Sequence, residues 1–245
     1  MQERQRQVLE RVASGEISPE EALALLGQPP ATTPRTPTDS AVTRLVIEAD
    51  LGAVAVVADA TVDDAVVIGA FELRRTGDQL RVTGPKDRSI LSDGRLLPRR
   101  GRRHALRIRM RPDLALSVKL GAGTVYAEGL QGASDIAVDL GTVTLEGTAA
   151  PFDVHVASGS VSISGVVTAG QSRIDCDLGA VSVRLGRPSN VRVTAATDAG
   201  RITLPGDRHG PSIVFGTQAE ATVGRGDAHL DIRTAAGSIS VTVDK

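Results

Sequence analysis

Aromatic residues are nearly absent from this 245-residue chain, which has three Phe, one Tyr and no Trp. The scarcity excludes a core built on large rings, and it leaves few of the aromatic platforms on which sugars and bases stack. A single cysteine, Cys176, excludes an internal disulfide and any multi-cysteine zinc centre, and it suits a reducing compartment. No stretch approaches the roughly 18 apolar residues of a membrane span. The start, Met1 to Val12, is charged and has no apolar signal core. An excess of one charge is missing too: 28 basic against 29 acidic side chains leave a formal net charge of -1, so no whole-molecule field steers the chain to nucleic acid or lipid. Together these absences give the expectation of a soluble, cytoplasmic protein. The four histidines, His104, His155, His209 and His229, share no ligand spacing with one another or with Cys176. Neither a metal site, nor a Cys–His nucleophile, nor any cofactor is therefore expected.

What the chain does have is glycine, 26 of them, and an apolar fraction made almost wholly of Val, Ala, Leu and Ile. Glycine without a collagen period means many tight turns, and small β-branched residues suit thin stacked strands. Three segments differ in pattern. Over 1–28, Val8, Leu9 and Val12 recur at helical spacing, Ser14-Gly15-Glu16 interrupts, and Ile17, Leu23 and Leu26 belong to a second helix that Ser18, Pro19 and Glu21 open and Gly27 stops. This helical hairpin is too short to bury a core alone, so those six apolar residues are its expected interface. Residues 29–41 hold Pro29, Pro30, Pro34 and Pro37 and read as an extended linker. From Val42 to the C-terminus the apolar residues alternate strictly, as in half-buried strands.

Within 42–245 a repeat is anchored on glycine. Leu45, Ile47, Ala49 and Leu51 lead into Gly52; Leu116, Val118 and Leu120 into Gly121; Ile136, Val138 and Leu140 into Gly141; Ile174, Cys176 and Leu178 into Gly179. Gly159, Gly200 and Gly237 anchor further copies. The anchors 121, 141, 159, 179 and 200 lie 18 to 21 residues apart, and the gap of 37 to Gly237 fits two coils. A unit this small cannot bury its apolar face alone, whereas stacked units share a continuous core. The expected fold is all-β: a β-solenoid of roughly ten coils with a period near 19, preceded by the small helical hairpin. A β-sandwich is the rival fold. The repeat fades over 53–115, and there an insertion at 95–111 carries eight arginines in 17 residues.

The Leu-Gly-x-Val-x-Val and Ser158-Gly159-Ser160-Val161-Ser162-Ile163-Ser164-Gly165 motifs resemble the adhesin-like family called domain of unknown function 4097, or Toastrack, over about 200 residues. The segment Val8 to Leu26 is similar to the bihelical SHOCT-like modules that often precede Toastrack domains. The resemblance implies a bacterial envelope-stress protein of the Lia or phage-shock type, which senses or relays a signal beside membrane partners. This chain departs from the anchored members in having no membrane span.

Chemistry is thinly signalled. Arg95, Arg99, Arg100, Arg102, Arg103, Arg107, Arg109 and Arg111 are the candidate anion or partner-binding group, for a lipid surface or an acidic protein. Nucleic acid is disfavoured because no aromatic residues are interleaved. Asp135, Asp139, Asp153, Asp175 and Asp177 could line one face as a carboxylate ladder, the basis of an alternative carbohydrate-active reading. Cys176 shares the inward register of Ile174 and Leu178 and reads as a small core residue. The leading expectation is a non-enzymatic scaffold that meets a protein partner or itself through the hairpin; a bactofilin-like filament subunit is a further alternative.

Overall fold

The computed structural model describes residues 41–69, 71–84, 105–206 and 214–244. The hairpin expected over 1–28 and nearly all of the linker lie outside the described residues. Alternation of small β-branched side chains gives β1 (Arg44–Ala58), β2 (Ala65–Ile68), β3 (Glu72–Thr76), β4 (Gln79–Thr83), β5 (Ala105–Met110) and β6 (Ala115–Glu128). It continues through β7 (Ser134–Thr148), β8 (Phe152–Gly165), β9 (Gln171–Leu185), β10 (Val191–Thr203), β11 (Val214–Val223) and β12 (Ala228–Val243). All twelve join one sheet, and no helix occurs among the described residues.

Long strands carry the repeat, parallel and in register, in the spatial order β1, β6, β7, β8, β9, β12, β10. Only three residues, 149–151, join β7 to β8, yet Ser134 and Phe152 at the two strand starts are paired. A straight 15-residue strand would be about 50 Å long, and three residues bridge about 14 Å at most. Each long strand therefore turns back on itself, and we call its two parts legs. The turn lies where the ladder skips a residue: Val138 pairs with Val156 and Leu140 with Ser158, leaving Asp139 and Ala157 unpaired.

Two residues past the skipped one comes a glycine, and these glycines stack as Gly52, Gly123, Gly141, Gly159, Gly179, Gly237 and Gly200. Gly159 has φ +148°, and a Cβ there would overlap the carbonyl oxygen of Gly141 in the neighbouring strand. Backbone approach this close admits no side chain. In β6 the stacked glycine is Gly123. The expected anchor Gly121 instead occupies the skipped corner position that Asp139 fills in β7, because two glycines stand two apart and the apolar spacing alone cannot choose between them.

The core is a set of columns running across the strands. Ile47, Val118, Ile136, Val154, Ile174, Ile232 and Ala195 form one, and each is at most 1% exposed. Cys176, 1% exposed, sits in another between Val156 and Thr234, and burial pushes its thiol pKa up. The corner breaks the alternation earlier than the sequence reading places it. Leu51, Leu140 and Leu178 are exposed (45, 58 and 55%) and do not extend the core.

Both ends depart from simple stacking. After β1 the chain reverses through β2 and β3, then runs forward again: β4 pairs with the first leg of β1 and β5 with its second. Together β4 and β5 make one split layer, with Thr83 and Ala105 on either side of the corner. At the other end β11 runs antiparallel on β10, and β12 slots between β9 and β10. The reading of the 37-residue gap as two successive coils is corrected accordingly: part of it is a reversed edge strand, and the last strand enters out of sequence order.

Candidate functional site

On the outer side of the first legs, the residue before each inward start is small in three neighbouring strands: Ala115, Ala133 and Pro151. Arg44 on one flank, and Gln171 with His229 on the other, are larger. A shallow groove of about 540 Å³ results, with Leu116, Ser134, Phe152 and Ser172 among its lining residues. Ser134 and Ser172 are buried; the Ser172 hydroxyl accepts from the Phe152 amide at 3.3 Å, whereas the Ser134 Oγ has no hydrogen-bond partner.

The next outer column supplies the charge: Ser117, Asp135, Asp153, Arg173 and Asp231 succeed one another across β6, β7, β8, β9 and β12. Arg173 donates from Nε to Asp175 at 2.6 Å, and this bond, aided by the charges of Asp175, Asp153 and Asp231, holds its guanidinium more firmly protonated. Arg233 donates to Asp231 at 2.9 Å. Among the described residues, Asp135 and Asp153 form no ion pair. They are neighbours in the ladder, so their backbones stand about 5 Å apart and both side chains leave the outer side of adjacent strands.

Of the five carboxylates expected to share a face, the fold brings only Asp135 and Asp153 side by side. Asp175 stands one column over and is held by Arg173, while Asp139 and Asp177 are exposed at the corner. No group of three or more His, Cys, Asp or Glu side chains is placed to hold a metal ion among the described residues. His155 points outward. The groove itself was not legible beforehand, because Ala115, Ala133 and Pro151 become neighbours only once the strands are in register.

The arginine group divides. Arg95, Arg99, Arg100, Arg102 and Arg103 lie outside the described residues, as do the interface candidates Val8, Leu9, Val12, Ile17, Leu23 and Leu26. In β5 the side chains alternate, Leu106, Ile108 and Met110 inward and Arg107 and Arg109 outward. Arg109 donates to Asp59 from both Nε (2.8 Å) and Nη2. Asp59 also accepts the Thr61 hydroxyl at 2.5 Å and amide at 2.8 Å, and these bonds, with Thr61 first, lower its pKa to about 2. Its contribution to folding is complete above the ordinary carboxylate pKa and is lost as pH falls through about 2. Arg111 donates to Asp113 at 2.6 Å and to the carbonyls of Asp63 and Val42. Two of the three described arginines thus fasten the 59–64 turn and the strand ends. On the second legs, the Tyr126 hydroxyl donates to Glu146 (2.9 Å) or Glu128 (3.0 Å), which pushes its pKa up to about 12.

No family model and no curated protein matches this chain. Among solved structures it is similar to a "putative cell adhesion protein" from Clostridium sporogenes, at 14% identity and a TM-score of 0.44, over 83% of this chain and 94% of that one.

Proposed function

We propose that this chain is a non-enzymatic interaction scaffold: a β-solenoid whose acid-lined groove holds a basic segment of a protein partner. The winding is supported by links of three to five residues (129–133, 149–151, 166–170) between long parallel strands that double back. One observation carries the partner reading. Asp135 and Asp153 face an open groove side by side and neither forms an ion pair among the described residues, so a Lys or Arg side chain laid along the groove meets two carboxylates at once. The setting is bacterial envelope-stress signalling in the cytoplasm, on the strength of the Toastrack-like and SHOCT-like motifs, with residues 1–28 as the docking or self-association module. No helix among the described residues is long and apolar enough to cross a membrane.

The test uses fluorescein-labelled decalysine and decaglutamate as probes of the full chain. Decalysine is expected to bind and decaglutamate not, with affinity falling as salt rises. Asp135→Asn with Asp153→Asn should weaken binding about two- to thirtyfold, since exposed pairs contribute about 0.2–1 kcal/mol each. Equal affinity of the double variant sinks the groove reading. Glycan hydrolysis that vanishes in the same variant sinks the scaffold reading in favour of the carbohydrate-active alternative.

A further inference from the structure

The corner where the long strands turn back carries a second pattern, visible only across strands. Leu51, Leu140 and Leu178, each roughly half exposed, hold one corner position in β1, β7 and β9. In β6, β8 and β12 the same position is held by Ala122, Ser158 and Ala236. Large and small residues therefore alternate strand by strand from β1 to β12, and the row ends at β10 with Ala199.

The skipped residue just before follows the same beat. Asp50, Asp139, Asp177 and Asp198 stand in β1, β7, β9 and β10, with Gly121, Ala157 and Ala235 in the strands between them. All four aspartates are exposed, and none forms an ion pair among the described residues. Chain order alone would set Asp177 and Asp198 on adjacent strands; β12, entering out of turn, places Ala235 between them. With strands about 4.8 Å apart, leucines and aspartates each recur about every 9.6 Å.

We infer that this ridge is a docking site for a cationic amphipathic α-helix of a partner protein, separate from the acid-lined groove. Three features select that occupant. The parallel ladder runs through the corner, with Leu140 paired to Ser158, so backbone groups are directed at neighbouring strands and an arriving strand finds none to pair with. A helix satisfies its own backbone. Seven helical residues rise about 10.5 Å, and a helix inclined by about 20–25° to the row, an ordinary crossing angle, matches the spacing of about 9.6 Å. Its apolar side chains then enter the gaps over Ala122, Ser158 and Ala236. The charge lies on one flank only, because aspartate precedes each leucine and glycine follows it, so Lys or Arg along one side of the helix completes the contact. A second copy of this chain fits poorly: interlocking two such rows about a two-fold axis sets aspartates against aspartates.

The probe is a fluorescein-labelled peptide of Leu, Lys and Ala in helical heptads, titrated against the full chain by fluorescence anisotropy beside a scrambled peptide of the same composition. The heptad peptide is expected to bind, and the scrambled one at least about tenfold more weakly. Leu140→Ala with Leu178→Ala should weaken the heptad peptide about tenfold through lost apolar contact. Asp139→Asn with Asp177→Asn should weaken it about two- to thirtyfold. Ser158→Leu adds apolar surface yet should weaken binding at least about fivefold, because it fills a gap. Asp135→Asn with Asp153→Asn, which neutralises the groove, should leave this affinity within about twofold, so either site can fail without the other. The proposal is overturned by equal binding of the two peptides, by unchanged affinity in the leucine variant, by binding to Ser158→Leu as tight as to the parent, or by a loss confined to the groove variant. If the leucine variant misfolds by far-UV circular dichroism, the aspartate variant, exposed at both positions, decides.

Discussion

Gly159→Ala is expected to destabilise the β unit by about 3–5 kcal/mol, far beyond the usual cost of an exposed substitution. Two penalties combine. The backbone at Gly159 has φ +148°, which an L residue adopts only under strain, and the new methyl group would overlap the Gly141 carbonyl oxygen. Relief requires that neighbouring strands move apart, which lengthens ladder hydrogen bonds on both sides. Gly147→Ala is the control: it too has positive φ (+63°), but its Cβ would come no nearer than 3.7 Å to any atom, so about 1 kcal/mol is expected. Thermal unfolding should separate the two by at least about 4 °C, given about 2–4 °C per kcal/mol for a domain of this size. Equal losses would mean that strain, and not the close approach of strands, sets the cost.

The second large effect comes from the core column. Ile174→Ala removes a fully buried side chain flanked by Val154 and Ile232, and a loss of about 2–5 kcal/mol is expected from lost transfer energy plus the cavity left behind. Leu178→Ala, four residues on, should stay within about 0.5 kcal/mol because that leucine is 55% exposed at the corner. Urea unfolding of the two variants provides the measurement. A comparable loss for Leu178 would place the corner leucine back in the core and contradict the observed break in alternation.

That break shows where the sequence stopped being legible. Ile136 and Val138 before the corner, and Val143 and Leu145 after it, all face inward, and periodicity alone identifies them. The interval from Val138 to Val143 is odd, so the parity of the chain must change somewhere between them. Reading the change at the glycine puts Leu140 inside; the ladder instead skips Asp139, and Leu140 turns out. Alternation reports that parity changes but not at which residue. Strand order was hidden for a different reason. The spacing from Gly200 to Gly237 fixes how much chain intervenes, but says nothing of where β12 pairs, because an in-register parallel strand fits equally well on either neighbour. Asp135 and Asp153 were legible as one face, but the groove beside them was hidden for want of the lateral register that makes neighbours of Ala115, Ala133 and Pro151.

The out-of-order entry of β12 also dictates a sequence of events as the chain is made. From β6 to β9 each strand docks on the one just finished, so assembly keeps pace with synthesis from the N-terminal side. β10 and β11 cannot join in that way, since the place beside β9 belongs to residues 228–243, which emerge after them. Without β12, β10 and β11 have only each other as sheet neighbours. Closure of the sheet thus depends on β12, and a chain cut short before residue 228 loses the anchorage of β10 and β11 along with β12.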